Sequence, residues 1–351
     1  MMSPGSICTV MACMAACYVS AQDTTVVKVS GYAEVYYGYD LSRPPTGERP
    51  DLIYNYKRHN EVNVNLALVR VELDRADVRA AVGLMAGTYA QYNLAAEPDL
   101  LRNLYEARVG VRLSRTRDLW LDAGVFPSHI GAEGVIGLDN ITLTRSFAAE
   151  ASPYYEAGAR VTYKPGRWTM AFLVLNGWQH IQRPPGNSSL AVGTQLQYAP
   201  KEGTVFNWST FVGSDTPDSL GLWRVFNNLY ATVTSERSAM TVGVDVGLQK
   251  APVEGDGPEG WITVYGMARG RIADRWWLVG RAEYLLDDQG VVTSGWDLAG
   301  VSAGVDLELA DRASWRLEYR LLGGPNDRFI DVNGAPSNTN MAITTALCVR
   351  L

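Results

Sequence analysis

Val301-Ser302-Ala303-Gly304-Val305-Asp306-Leu307-Glu308-Leu309, then Ala310-Asp311-Arg312, then Ala313-Ser314-Trp315-Arg316-Leu317-Glu318-Tyr319-Arg320-Leu321 is the stretch that decides the fold. In the first run Val301, Ala303, Val305, Leu307 and Leu309 share one face, and Ser302, Gly304, Asp306 and Glu308 share the other. In the second, Trp315, Leu317, Tyr319 and Leu321 oppose Arg316, Glu318 and Arg320. A period of two is the signature of a β-strand, whose successive side chains point to opposite faces. The polar joint between the runs is short enough only for a hairpin. The stretch therefore predicts two neighbouring antiparallel strands, each with one apolar and one charged face.

The same unit recurs from residue 27 to the C-terminus. Tight polar turns fall at Asp74-Arg75-Ala76-Asp77, Ser114 to Asp118, Lys164-Pro165-Gly166, Pro200 to Gly203, Ser235-Glu236-Arg237, Ala273-Asp274 and Ala310-Asp311-Arg312. They alternate with long loops rich in Gly, Pro, Asn and Asp at 40–59, 93–102, 128–153, 178–188, 215–223, 250–260, 287–296 and 323–339. Strands are expected near 27–39, 60–73, 78–92, 103–113, 119–127, 154–163, 167–177, 189–199, 204–214, 224–234, 238–249, 261–272, 275–286, 297–309, 314–322 and 340–351. Short turns on one side and long loops on the other predict an all-β fold: a single closed antiparallel transmembrane β-barrel of about sixteen strands, with short periplasmic turns and long extracellular loops. An even count leaves both termini on the tight-turn side, as antiparallel closure demands.

A soluble sandwich also alternates. Three features favour a membrane. The apolar faces carry many Ala, Gly and Val rather than the bulky side chains of a packed core. Aromatics gather in two bands: Trp120, Tyr163, Trp168, Tyr198, Trp276 and Trp315 by the tight turns, and Tyr37, Tyr39, Tyr155, Trp178, Trp223 and Tyr284 by the long loops. Such bands match the aromatic girdles of outer-membrane barrels. Third, residues 1–21 read as a signal peptide: Ile7 to Val19 is apolar and small, and Val19-Ser20-Ala21 fits a cleavage site, although Lys and Arg are absent before it. The barrel would then occupy 22–351. Met14-Ala15-Ala16-Cys17 also fits a loose lipobox, which would lipidate Cys17.

Composition excludes several classes. Thirty-one basic against 37 acidic residues give a net charge of −6, without the basic footprint of a nucleic-acid binder. No run of eighteen apolar residues follows residue 22, so membrane helices are excluded. Cys8, Cys13 and Cys17 lie in the leader, leaving Cys348 without a disulfide partner. His59, His129 and His180 lack metal-ligand spacing, and nothing calls for a cofactor. Gly300-Val301-Ser302-Ala303-Gly304 matches a nucleophile-elbow string, but that motif needs a strand-to-helix turn and this one sits inside an alternating strand.

Sixteen strands enclose an interior wide enough for water. The faces then predict a pore lining of Lys28, Glu34, Glu106, Arg108, Arg112, Glu156, Arg160, Arg269, Arg271, Arg281, Glu283, Asp306, Glu308, Arg316, Glu318 and Arg320. Opposite charges meet across neighbouring strands, either as cross-strand pairs that stiffen the wall or as a transverse field acting on solutes.

Leu138-Asp139-Asn140-Ile141-Thr142-Leu143-Thr144-Arg145-Ser146, Pro153-Tyr154-Tyr155-Glu156-Ala157-Gly158 and Leu175-Asn176-Gly177-Trp178 resemble the OmpL-like β-barrel porins of Bacteroidota-type bacteria. Ser30-Gly31-Tyr32-Ala33-Glu34 resembles their first strand. The similarity extends over 27–351, with its specific motifs confined to these patches. It implies a Gram-negative outer membrane and passive diffusion of small hydrophilic solutes. Leu351 departs from the terminal aromatic residue of many outer-membrane proteins, keeping the outward position but not the side chain. In general porins the third outer loop folds inward. Here that loop is the longest, which places Glu133, Asp139 and Arg145 near a constriction, unless the loop is an outer lid or Arg145 clamps Glu156. The expected partners are outer-membrane lipid, small hydrophilic solutes, and a homo-oligomer or outer-membrane protein complex. The rival functions are a plugged docking barrel bound to a surface lipoprotein and an outer-membrane lipid-modifying enzyme.

Overall fold

The computed structural model describes residues 25–253 and 256–351. The expected signal peptide, with Cys8, Cys13 and Cys17, lies outside the described residues. Sixteen long strands form one closed barrel. Its first half comprises β1 (Val26–Asp40), β2 (Val62–Asp74), β3 (Val78–Ala86), β4 (Leu104–Arg112), β5 (Leu119–Pro127), β6 (Tyr155–Tyr163), β7 (Trp168–Leu175) and β8 (Ala191–Lys201). The second half comprises β9 (Thr204–Gly213), β10 (Arg224–Thr234), β11 (Ser238–Gln249), β12 (Glu259–Ala273), β13 (Trp276–Leu286), β14 (Asp297–Ala310), β15 (Ala313–Gly323) and β18 (Thr339–Arg350). The hairpin of residues 301–321 is β14–β15, with Asp306 opposite Arg316 and Gly304 opposite Glu318.

Each strand pairs antiparallel with its chain neighbours, and β1 closes on β18 with Tyr32 opposite Arg350 and Tyr39 opposite Ile343. The last backbone groups join the seam, Leu351 N–H donating to the Gly31 carbonyl at 2.8 Å. Closure is the physical reason for the fold, since an open sheet edge in hydrocarbon leaves every backbone group along it unsatisfied. No helix among the described residues is long and apolar enough to cross a membrane, so strands alone do so.

The outer face follows the predicted alternation. Val29, Val69, Val82, Val109, Leu278, Val301 and Leu347 all point outward and exposed, while Tyr32, Glu34 and Tyr36 point inward and buried. The long loops hold what alternation does not reveal: a helix α1 (Thr88–Asn93), a single helical turn α2 (Phe147–Glu150), and a hairpin of β16 (Phe329–Ile330) with β17 (Pro336–Ser337). Ser146 caps α2 by accepting from the Ala149 N–H at 3.2 Å.

Three expected girdle residues lie elsewhere. Trp120 shares the inward parity of Asp122, with the Arg79 guanidinium 4.4 Å over its ring. Tyr155 is buried, its hydroxyl donating to Glu97 of the second long loop at 3.0 Å. Trp178 turns into the barrel and meets Phe211, Phe226 and Trp261 edge-on. In each case a stronger partner lay inside: a cation, a carboxylate, or an aromatic box. The interior also carries apolar clusters, one joining Tyr32, Tyr36 and Leu66 of the wall to Tyr56, Tyr89 and Leu143 of the loops.

Candidate functional site: the lumen and its third loop

The charged inward faces form two separate systems. On β2–β6, Glu106 accepts from Arg70 at 2.7 Å and from Arg108 at 2.5 Å. Asp122 accepts from Arg79 at 2.7 Å and from Arg108 at 3.3 Å, with Arg160 at 3.8 Å. The two carboxylates are buried while the four guanidiniums keep partial exposure, so this wall presents cations to the lumen. Arg160 also lies 4.6 Å over the Phe126 ring. Lys28 and Arg112 are exposed at the periplasmic rim, the former where β1 extends below its pairing with β18.

The opposite wall is sealed. Arg281 bonds Glu283 at 2.9 Å and Glu318 at 3.1 Å, Arg320 bonds Glu283 at 2.6 Å, and Arg316 bonds Asp306 at 2.8 Å. All but Asp306 are almost completely buried. What buries them is the third long loop, residues 128–154. Arg316 donates to the carbonyls of Gly137 at 2.8 Å and Ile141 at 2.9 Å, and Arg281 to the Thr142 hydroxyl at 2.7 Å. Glu318 accepts from the Thr144 N–H at 2.8 Å, and Glu283 from the Phe147 N–H at 2.6 Å. The wall's charges thus satisfy an irregular backbone that has no sheet partners of its own, which is how non-helical chain survives at membrane depth. The close approach is visible at Gly137, where a Cβ would collide with the Glu34 carboxylate and the Tyr32 hydroxyl.

The loop is rooted on the far side. His129 Nδ1 lies 2.9 Å from the Glu156 carboxylate and Nε2 lies 2.9 Å from the Thr210 carbonyl. The Thr210 carbonyl can only accept, so Nε2 carries a proton, and the carboxyl group at Nδ1 favours a second one. Burial pulls its pKa down, but the Glu156 charge and these hydrogen bonds outweigh that and raise it above the ordinary value. The ring fits only because Gly193 has no side chain; a Cβ there would lie 2.7 Å from it.

The predicted constriction residues each have a defined task, Arg145 and Glu133 within the loop and the exposed Asp139 at its tip. Arg145 is fully buried and donates to the carbonyls of Gly134 at 3.0 Å, Leu143 at 2.9 Å and Val135 at 3.0 Å. It therefore staples the loop to itself and does not clamp Glu156, which His129 occupies. Glu133 accepts from the Ser146 N–H at 3.1 Å and from its hydroxyl. Asp139 reaches Arg350 at 2.6 Å, close to the periplasmic end. The loop thus enters from the extracellular side and descends most of the barrel's height.

Of the remaining predicted lining, Glu34 accepts from Tyr56 at 2.9 Å and Asn65 at 2.8 Å, with the Cys348 thiol at 3.3 Å. Glu308 accepts from the Trp277 indole at 2.8 Å, with Arg271 at 3.5 Å. Arg269 has no ion pair among the described residues. Ser302 points inward from mid-β14 with its hydroxyl unbonded. Among the described residues no group of His, Cys, Asp and Glu could hold a metal.

Sequence reasoning missed the loop-side partners Thr142, Thr144 and Asn140, and missed that the first long loop also enters the barrel, burying Leu52, Ile53 and Tyr56. The available signal was the apolar run Leu52-Ile53-Tyr54, unneeded in a loop that faces only water. The consequence is a closed waist. Inward side chains on β1, β5, β6, β9, β10, β12, β15 and β18, such as Glu34, Asp122, Glu156, Ser209, Asn228, Thr263, Glu318 and Thr344, have essentially no solvent contact. Above the waist, an extracellular cavity of about 370 Å³ is lined by Tyr54, Tyr92, Glu150, Trp178, Gln179 and Arg224. Burial pushes the Glu150 carboxyl up to about 7. Below it lies a polar periplasmic vestibule.

Comparison with known proteins places this geometry. The family described as "Putative beta-barrel porin-2, OmpL-like" matches residues 26–351. No curated protein matches the chain in sequence. Among solved structures, the anion-selective porin from Comamonas acidovorans superposes with a TM-score of 0.63 at 9% identity, covering 93% of this chain and 100% of that one. OmpT from the outer membrane of Vibrio cholerae gives 0.60 at 11% identity, covering 95% and 100%. Salmonella typhi OmpF, in complex with daunomycin, gives 0.60 at 10% identity, covering 93% and 97%. At these identities the likeness is one of fold.

Proposed function

The chain belongs to the OmpL-like β-barrel porin-2 family and is a porin of the bacterial outer membrane, and from that premise we propose that it passes small hydrophilic solutes passively along the cationic β2–β6 wall, with the third loop as its constriction. The observation that carries this is the asymmetry of the lumen. The loop is pinned to β13–β15 by buried charges, whereas Arg70, Arg79, Arg108 and Arg160 opposite it remain partly exposed. Buried carboxylates fix those guanidiniums in place, so they act on a passing solute as a rigid field rather than as flexible tethers. The driving force is the solute's own gradient; no covalent step is required, and the Ser302 hydroxyl has no hydrogen-bond partner among the described residues. Lys28 and Arg112 extend the same lining to the periplasmic rim.

The closed waist favours a second reading, a barrel plugged by its loops that serves as a docking platform in an outer-membrane complex. Planar-bilayer recording separates the two. Discrete current steps are expected from the full barrel, larger once residues 133–146 are replaced by a short Gly-Ser link. A silent full barrel that conducts only after that replacement supports the plug. Silence from both overturns the porin reading.

A further inference from the structure

The periplasmic vestibule is a cavity of about 640 Å³ beneath the tip of the third loop, closed above by Leu138. Six arginines reach it from the run of five adjacent strands β12 to β15 and β18 and their turns: Arg269, Arg271, Arg275, Arg312, Arg316 and Arg350. The acids lining it are Asp274, Asp306, Glu308 and Asp311. Three of the cations are committed: Arg316 to Asp306 at 2.8 Å, Arg271 to Glu308 at 3.5 Å, and Arg350 to Asp139 at 2.6 Å. Arg275 and Arg312 each sit beside an aspartate in a tight turn. Arg269 is different. It projects from β12 near that strand's periplasmic end, its side chain makes no ion pair or hydrogen bond among the described residues, and its Nε is buried without an acceptor. Its guanidinium is held 5.0 Å over the Trp277 ring, with Arg271 on the same indole at 5.7 Å.

A guanidinium fixed in place, with a buried donor unfilled and an open cavity in front of it, lacks an acceptor. We propose that this vestibule binds an oxyanion of the phosphate class, with Arg269 as its principal donor and Arg271 and Arg275 as flanking cations. The guanidinium fork matches two oxygens of a tetrahedral anion. The aromatic face beneath keeps the fork planar and oriented without neutralising it. The surrounding low-dielectric wall focuses the field of the unpaired charges into the cavity. The proposal deepens the porin reading, because it names the class of solute that would dwell at the periplasmic exit, but the binding itself requires no conduction.

The test is calorimetric titration of the detergent-folded full chain with inorganic pyrophosphate at fixed ionic strength, with sulfate and chloride as parallel arms. Saturable one-site binding is expected, tightest for pyrophosphate. R269Q should weaken it at least tenfold, in line with the loss of one charge-assisted hydrogen bond (about 1.5–3 kcal/mol). R269K, which keeps the charge but not the fork, should fall between. Heat-modifiable migration of each variant reports that the barrel has formed; if R269Q fails that check, the comparison is made with R269K and W277L, both expected to weaken binding. Equal affinity in wild type and variants, or heats that do not distinguish pyrophosphate from chloride, would overturn the site. A barrel that conducts without binding loses only this inference; one that binds without conducting loses the porin reading instead.

Discussion

His129 shows how one side chain couples protonation to loop position. Both ring nitrogens face oxygen atoms, so the contact favours the imidazolium. The folded pKa is raised, so the folded state holds the proton more tightly than the unfolded chain. The stabilisation is therefore complete below the unfolded value of about 6.5 and is lost as pH rises through the higher folded value. The protection factors of the amides of residues 129–133, exchange being corrected for its intrinsic base catalysis, are expected to fall above neutral pH in the wild type and to be low and independent of pH in H129A. Faces can be tested at the same level. Val305 and Leu347 point into lipid, so V305R should cost roughly 2–4 kcal/mol of barrel stability, and L347R, level with Trp315 of the girdle, less. E318Q leaves the outer face untouched and acts through its buried ion pair with Arg281. If V305R unfolds in urea as the wild type does, the facing of β14 is wrong. These faces were legible in the sequence because a one-residue slip inverts a whole strand, so lipid on one side fixes the parity. The exceptions, Trp120, Tyr155 and Trp178, were not legible, since a strand-end aromatic serves a girdle and a lumenal cluster equally well.

The third loop is the element whose behaviour goes beyond alternation. Its length and mixed composition left two readings, an inward fold like the third loop of general porins or an outer lid, and Leu138 to Ser146 carried part of the family resemblance. Its landing site could not be read. The partners are backbone carbonyls and amides of 137–147, which have no sequence signature, meeting charges that look like ordinary cross-strand pairs. The pairs exist, but Arg281 divides its donors between Glu283, Glu318, Thr142 and Thr144. Its replacement therefore does more than remove one ion pair. In R281A, Glu318 keeps its bonds to Thr144 but loses its only ion-pair partner among the described residues, at a fully buried site. Truncating one member of a buried charge pair costs about 3–5 kcal/mol, because the other charge is left uncompensated. R281A should therefore lower the urea midpoint markedly and raise protease sensitivity within 137–147. The double replacement R281L/E318L should recover part of that loss. If R281A unfolds as the wild type does, the loop is held elsewhere, by its His129 root or by the Arg145 staple.

The whole barrel depends on one seam. Strand count, strand order and the shared side of the termini followed from the alternation of short and long connections, because antiparallel neighbours with tight turns leave few alternative topologies. How full the interior is did not follow, since the sequence marks which side chains face inward but not what meets them there. The seam joins the first strand to the last, Ala33 opposite Val349 and Tyr37 opposite Thr345. Removing β18 exposes the edges of β1 and β15 together, and each unsatisfied backbone group in hydrocarbon costs several kcal/mol. No rearrangement inside the lumen offsets two open edges. A chain ending at residue 338 should therefore fail to assemble, seen as loss of heat-modifiable migration and full trypsin digestion in vesicles. Deleting the hairpin tip, residues 329–337, shortens the last loop but leaves all sixteen wall pairings in place. That variant should assemble and resist trypsin like the parent. Equal failure of both would mean that the last loop, rather than the β1–β18 seam, holds the cylinder shut.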